Sequence, residues 1–143
     1  MTLEDVGPDN WRHCAALEVE ESQRPFVAPV PYYLALCAYD EGPWRPIAVR
    51  VADEVVGFVM WGVDSTDGGY WIGGLIIDRR HQRRGYGRAA VLELLERAAL
   101  AGHREAASYD PQNRGARSLY ANSGFVATGE FEDGEAVARK HLT

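Results

Sequence analysis

Hydrophobic residues recur along this chain with two different periods, and the changes of period divide it into elements. Thr2 to Val6 reads as a short strand. Pro8-Asp9-Asn10 then offers a turn and a helix start. Trp11, Cys14, Ala15 and Leu17-Glu18 follow with roughly helical spacing. The stretch from Arg24 to Pro31 holds three prolines, which forbid a continuous helix, so a loop is expected there. Tyr32 to Tyr39 predicts a second helix, and Gly42-Pro43 turns the chain. Ile47 to Val51 and Val55 to Val63 are β-rich runs joined by the polar Asp53-Glu54, a hairpin signal. After a turn over Asp64 to Gly69, Tyr70 to Ile77 predicts a third strand, interrupted by Gly73-Gly74. The period then changes. Val91, Leu94, Leu95 and Ala98 fall at i, i+3, i+4 and i+7, which predicts an amphipathic helix over 86–101, with Gly102 as its C-terminal cap. Glu105 to Tyr109 is a short strand ended by Asp110-Pro111. A helix opens at Asn113, runs to about Ser123 and stops at Gly124, and Phe125 to Phe131 and Glu135 to Lys140 close the chain as paired strands.

The resulting order is β-α-α-β-β-β-α-β-α-β-β. The strands before and after the long helix are expected to be parallel, because a helical crossover joins them. The others pair as hairpins. The expected fold class is therefore α/β, a single domain over 1–143 with a mixed, mostly antiparallel sheet.

Composition narrows the functions open to such a domain. With 46% hydrophobic and 25% charged residues, the chain has material for a core and a solvated surface. Its longest apolar stretch, Val55 to Val63, is too short to span a bilayer, and the N-terminus lacks a signal-peptide pattern, so a cytoplasmic location is expected. Cys14 and Cys37 show no CxxC spacing and predict two reduced thiols. The histidines His13, His81, His103 and His141 are scattered, and no metal site is expected. A net charge of -6 disfavours nucleic acid and favours cationic partners. Against that background Arg79, Arg80, Arg83, Arg84 and Arg88 crowd into ten residues, five of the fifteen Lys and Arg. That cluster predicts an anionic ligand.

The arginines frame Gln82-Arg83-Arg84-Gly85-Tyr86-Gly87, between a strand and a helix. A helix N-terminus carries unpaired N–H groups and partial positive charge. Glycines let a ligand approach the backbone, and together these features make a nest for phosphate oxygens. Arginines add charge-assisted contacts. The segment is not a P-loop, since G-x-x-x-x-G-K-S/T is absent, and it fits a dinucleotide fingerprint poorly, with only two glycines. The plainer alternative is a tight turn beside a solvated basic face.

In context the segment resembles the pyrophosphate loop, R/Q-x-x-G-x-G/A, of the GNAT family of acetyl-CoA-dependent N-acetyltransferases. Leu75-Ile76-Ile77-Asp78 leads into it as in that family, and Asn113, Ala116, Leu119-Tyr120 and Gly124-Phe125 match a second signature, N-x-x-A-x-x-L-Y-x-x-x-G-F. Val56 to Trp61, Tyr70 to Ile72, Ser108 to Asn113 and Pro25 to Pro29 are further similar to bacterial spermine/spermidine acetyltransferases. The resemblance implies a GNAT-like sheet with a splayed parallel strand pair and helices on both faces. It implies acetyl-CoA as co-substrate, no metal, and a small-molecule amine such as a polyamine as acceptor, attacking the thioester directly. It also implies a homodimer. Other acceptors stay open: an aminoglycoside, an amino acid, a protein N-terminus, or none, in an acetyl-CoA sensor.

The same resemblance assigns roles. The backbone amides of Arg83, Arg84, Gly85, Tyr86, Gly87 and Arg88 bind the pyrophosphate, Gln82 belongs to the same cofactor-binding set, and the backbone of Leu75, Ile76 and Ile77 pairs with the pantetheine arm. Asn113 either touches the cofactor or caps its helix. Tyr120 is either the general acid toward the departing thiolate or a core aromatic. A free alkyl amine is neutral in only about one molecule in a few thousand at pH 7, so the enzyme must select or deprotonate it. Polyamine enzymes of the family often carry a carboxylate on the strand before the loop, but here those positions are Gly73 and Gly74. Glu20 and Glu21 are candidate substitutes, with an exposed acidic helix end as the alternative, and Trp71, Tyr32 and Tyr33 either line the acceptor pocket or fill the core.

Overall fold

A computed structural model describes residues 1–109 and 114–142 of the chain. Its centre is built from the runs that are apolar on both sides. Strands β2 (Arg45–Val51), β3 (Glu54–Val63) and β4 (Tyr70–Ile77) pair antiparallel in succession. In β3 every residue from Val55 to Met60 is buried, as a strand covered on both faces requires. β1 (Thr2–Asp5) pairs with β2 at one edge. Beyond β4 come β5 (Glu105–Tyr109), β7 (Glu135–His141) and β6 (Val126–Glu132), giving the order β1-β2-β3-β4-β5-β7-β6. Among the described residues only β4 and β5 run parallel, as expected of strands flanking the long helix.

Side chains alternate across a strand, so neighbours face opposite layers. Ile47, Val49, Val59 and Ile72 pack against Ala90, Val91, Leu94, Leu95 and Ala98 of helix α3 (Tyr86–Leu100), together with Tyr120 of helix α4 (Arg114–Asn122). Ala48, Phe58, Met60 and Ile76 pack with Cys14 of helix α1 (Trp11–Ala15), Leu17, and Val30 of helix α2 (Val30–Tyr39). Helices thus cover both faces.

α3 has the predicted stripe and ends as its sequence requires. Gly102 is left-handed at φ +95°, and the N–H groups of His103 and Gly102 donate to the Ala98 and Ala99 carbonyls, the two bonds of a Schellman stop. Two expectations are adjusted. The proline-rich stretch is not wholly irregular: a 3-10 turn occupies Glu21–Phe26, and α2 starts at Val30 rather than Tyr32. Proline tolerates both places, because Pro31 lies in the first turn of α2, where a missing N–H costs nothing.

The feature that opens the sheet is a bulge in β4. Phe58 pairs with Ile76 and Met60 with Gly73, so Gly74 and Leu75 together oppose Val59. Gly74 is left-handed at φ +62°, and a Cβ there would lie 2.6 Å from the Met60 methyl, so only glycine fits without displacement. A bulge bends its strand. β4 accordingly pairs with β5 only at Tyr70↔Ala106 and Trp71↔Ala107, and the two strands splay beyond Trp71.

Two outcomes test this packing. Leu94 is fully buried, so Leu94→Ala is expected to cost about 3 kcal/mol of unfolding free energy in urea titration. Burial also pushes the Cys14 and Cys37 thiols up to about 11, and the Tyr70 phenol up to about 12. Raised folded-state values mean that stability is complete below the ordinary values of 9.0 and 10.0 and is lost as pH rises through the folded ones. The urea midpoint should hold steady from about pH 7 to 8.5 and fall between about 9 and 11, with a shallower fall in Cys14→Ala.

Candidate active site

The basic loop folds as a cradle at the start of α3. Arg83 and Gly85 are both left-handed, at φ +64° and +83°, and an uncapped helix follows at once. The first helical bond runs from the Ala89 N–H to the Gly85 carbonyl at 3.0 Å, which leaves the N–H groups of Tyr86, Gly87 and Arg88 without an intrahelical acceptor. Gly87 has a packing role as well, since a Cβ there would come 2.8 Å from Leu119 of α4.

The five arginines divide into three groups. Arg79 pairs with Glu18 at 3.5 Å, and Arg80 pairs with Asp78 at 2.9 Å and Glu54 at 3.7 Å. Arg84 lies 3.5 Å from His81 Nδ1 and does not line the cleft described below. Arg83 and Arg88 line that cleft and have no ion pair among the described residues. Two of the five arginines thus line the cleft, while acidic neighbours hold Arg79 and Arg80 and Arg84 lies beside His81.

Gln82 serves the frame. Its Nε2 donates to the Ile77 carbonyl at 2.9 Å and to Gln23 Oε1 at 2.8 Å, while Gln23 Nε2 donates back to Gln82 Oε1 at 3.2 Å. Nearby, the buried Asp78 carboxylate accepts the Glu18 N–H at 3.1 Å and the Arg80 side chain. Burial alone would raise Asp78, but these bonds outweigh it and hold the carboxyl below its ordinary range.

A cleft of about 510 Å³ runs from this cradle along the opened edge of β4. Leu75, Ile76, Ile77, Gln82, Arg83, Gly85, Tyr86, Gly87 and Arg88 line it, which brings most of the predicted cofactor residues together. Asn113 lies outside the described residues. A second cleft of about 600 Å³ shares Phe26, Val27, Leu75 and Ala116 with the first.

Tyr120 lines the second cleft, one helical turn after Ala116. The signature around it is a helix stop. Gly124 is left-handed at φ +99°, the Phe125 N–H donates to the Tyr120 carbonyl and the Gly124 N–H to the Ala121 carbonyl, both at 3.0 Å. The Phe125 ring packs edge-on against Tyr120 at 5.3 Å. This is the Schellman pattern with its apolar contact, and it fixes the tyrosine ring. The hydroxyl is hydrogen-bonded to Ser108, and burial pushes it up to about 12.

The remaining acceptor candidates fare differently. Tyr32 and Tyr33 line the second cleft, Tyr33 stacked at 6.2 Å on Phe58. Glu20 and Glu21 line neither cleft: both are exposed at the head of the 3-10 turn, where the Glu20 N–H donates to Gln23 Oε1 at 3.0 Å. Trp71 also lines neither. It is 6% exposed and packs on Ala107, Val137 and, at 5.1 Å, Tyr109, because it sits at the last closed pair of β4 and β5. Sequence reasoning missed Ser108, Trp44, Tyr109 and Glu135, all lining the second cleft. Trp44 explains the glycine at 73: a Cβ there would lie 3.2 Å from its ring. No local pattern announced Trp44, whose partner is 29 residues away. Ser108 did stand in a run with family resemblance.

Among the described residues no group of three or more His, Cys, Asp or Glu is placed to hold a metal, and no helix is long and apolar enough to cross a membrane.

Known proteins share this fold. A family model described as the acetyltransferase (GNAT) family matches residues 11–125. The chain is 27% identical to spermine/spermidine N(1)-acetyltransferase of Bacillus subtilis (strain 168), with 99% of each chain covered. In fold it is similar to a protein from Desulfovibrio desulfuricans assigned to the GNAT family, with a TM-score of 0.75, 19% identity and 99% of each chain covered. It is likewise similar to spermidine N-acetyltransferase from Vibrio cholerae, solved with CoA and spermine, with a TM-score of 0.70, 17% identity and coverage of 99% and 94%. With the family model matching from α1 through the Phe125 helix stop, the chain belongs to the GNAT family of acetyltransferases.

Proposed function

We propose that this protein transfers an acetyl group from acetyl-CoA to a primary amine of a small molecule, and that its acceptors are polyamines. The observation that carries this reading is the junction of two clefts, one with a phosphate cradle and one with a buried tyrosine, along the opened edge of β4.

Acetyl-CoA would supply a thioester carbonyl open to attack and a thiolate leaving group. The residues present fit it. The N–H groups of Tyr86, Gly87 and Arg88, with the Arg83 and Arg88 side chains, suit a pyrophosphate. The unpaired edge of β4 at Leu75, Ile76 and Ile77 suits an extended amide-bearing arm, by strand addition. Tyr120 Oη keeps its proton to about pH 12 and is the proton donor of the site. Ser108 orients that hydroxyl.

The second cleft favours a cationic, flexible acceptor. Phe26, Tyr32, Tyr33, Trp44, Tyr109 and Phe131 give it aromatic walls, which attract ammonium groups, and Glu135 adds a carboxylate. The net charge of -6 and the Bacillus relative's acceptors point the same way. With glycine at 73 and 74, the amine reacts in its neutral form or gives its proton to water. Those glycines also favour a second reading, an acetyl-CoA sensor without turnover.

Release of coenzyme A thiol from acetyl-CoA, measured against spermine, spermidine, putrescine, aminoglycosides and short peptides, tests the proposal. Turnover with polyamines is expected, and silence across the panel by protein that binds acetyl-CoA would favour the sensor. Tyr120→Phe should lower kcat about 100-fold while leaving acetyl-CoA affinity intact. The wild-type kcat/KM should climb from about pH 7 to 9 as the amine deprotonates, with no descending limb from Tyr120 in that window. Replacing Arg83 and Arg88 together by Glu should weaken acetyl-CoA binding at least about tenfold by calorimetry.

A further inference from the structure

The acceptor cleft has one wall that is fastened to the cofactor loop instead of to the sheet. Phe26 and Val27 line both clefts, at the end of the 3-10 turn Glu21–Phe26. Two knots bind this segment to the loop. At its start, the Glu18 N–H donates to Asp78 Oδ1 at 3.1 Å, and the Arg79 N–H donates to the Glu18 carbonyl at 2.7 Å. At its middle, the amides of Gln23 and Gln82 hydrogen-bond each other in both directions at 2.8 and 3.2 Å, 59 residues apart in sequence. Gln23 Oε1 also takes the Glu20 N–H, and so pins the first turn of the segment to the same point. Gln82 in turn holds the Ile77 carbonyl, at the end of the β4 edge that borders the first cleft. Beyond the wall, the Ala28 N–H donates to Tyr33 Oη of α2 at 3.3 Å. Residues 20–22 and 24–26 are exposed, and the turn contributes no buried residue.

We infer that Gln23 is a positioning residue: through its amide pair with Gln82 it fixes the Phe26–Val27 wall, so that a filled cofactor loop orders the acceptor cleft. This rests on the acetyltransferase reading above. Gln23 itself lines the first cleft beside Gln82, and the bonds that join the loop, the turn and the wall carry its effect to the acceptor cleft. A hydrogen-bonded pair of neutral amides is a modest link, and the expected effect is correspondingly modest.

Gln23→Leu removes both bonds to Gln82 at nearly constant volume, whereas Gln23→Glu keeps an oxygen to accept from Gln82 Nε2 and from the Glu20 N–H. With spermidine as acceptor, Gln23→Leu should raise the acceptor KM about fivefold and leave kcat unchanged, and Gln23→Glu should recover most of that loss. Hydrogen exchange with coenzyme A alone gives a readout separate from turnover. In the wild type, coenzyme A should slow exchange at 83–88 and also over 19–27. In Gln23→Leu it should protect 83–88 but no longer 19–27. A Gln23→Leu enzyme with wild-type spermidine KM and wild-type protection over 19–27 would overturn the inference while leaving the acetyltransferase reading in place. Wild-type protein that gains no protection at 83–88 from coenzyme A would overturn that reading, and this inference with it.

Discussion

A single left-handed glycine sets the geometry on which the site depends. Gly74 allows β4 to carry an extra residue opposite Val59, and the bend it introduces parts β4 from β5 after only two paired positions. A parallel pair left unzipped exposes backbone N–H and C=O groups along one strand edge, which a buried sheet would otherwise be obliged to satisfy internally. Here the edge borders a cleft instead. The cradle at α3, the helix α4 and the 3-10 turn all face the opening, so the two clefts meet along β4 because the sheet fails to close there.

What could be read from the sequence follows from how local each determinant is. Helix α3 announced itself through the spacing of Val91, Leu94, Leu95 and Ala98, and its stop through Gly102. The Leu119-Tyr120 to Gly124-Phe125 signature is readable for the same reason: a helix stop is written within six residues, and this one also orients the tyrosine. The β4–β5 pairing followed from the crossover between them. The contacts that escaped are those made across the fold. Ser108 reaches Tyr120 from β5, and Trp44 reaches Gly73 from the turn before β2. The acidic pair Glu20-Glu21 misled because charge is visible in a sequence while facing direction is not.

The arginine cluster is a second instance. Counted along the chain, it is one basic patch in an acidic protein. In space, burial of Asp78 and the proximity of Glu18 and Glu54 convert Arg79 and Arg80 into structural cations, and only Arg83 and Arg88 are turned to the cleft. The same carboxylates that neutralise the patch also brace the loop. Charge here is divided between holding the cradle in shape and giving it something to offer an anion, and the division is set by acidic neighbours both close in sequence, as Asp78 is, and distant, as Glu18 is.

The contact between Trp44 and Gly73 also bears on how this site can change over evolutionary time. The first carbon of a side chain at position 73 would lie 3.2 Å from the indole, so the ring must give by a few tenths of an ångström to admit a carboxylate there. Position 74 is closed by its backbone and by the Met60 methyl. A lineage that places a side-chain base at position 73 must therefore shift or shrink Trp44, an aromatic wall of the acceptor cleft. Proton acceptance from the strand and the aromatic grip on the acceptor are therefore alternatives that compete for one small volume, and this chain has filled it with the ring.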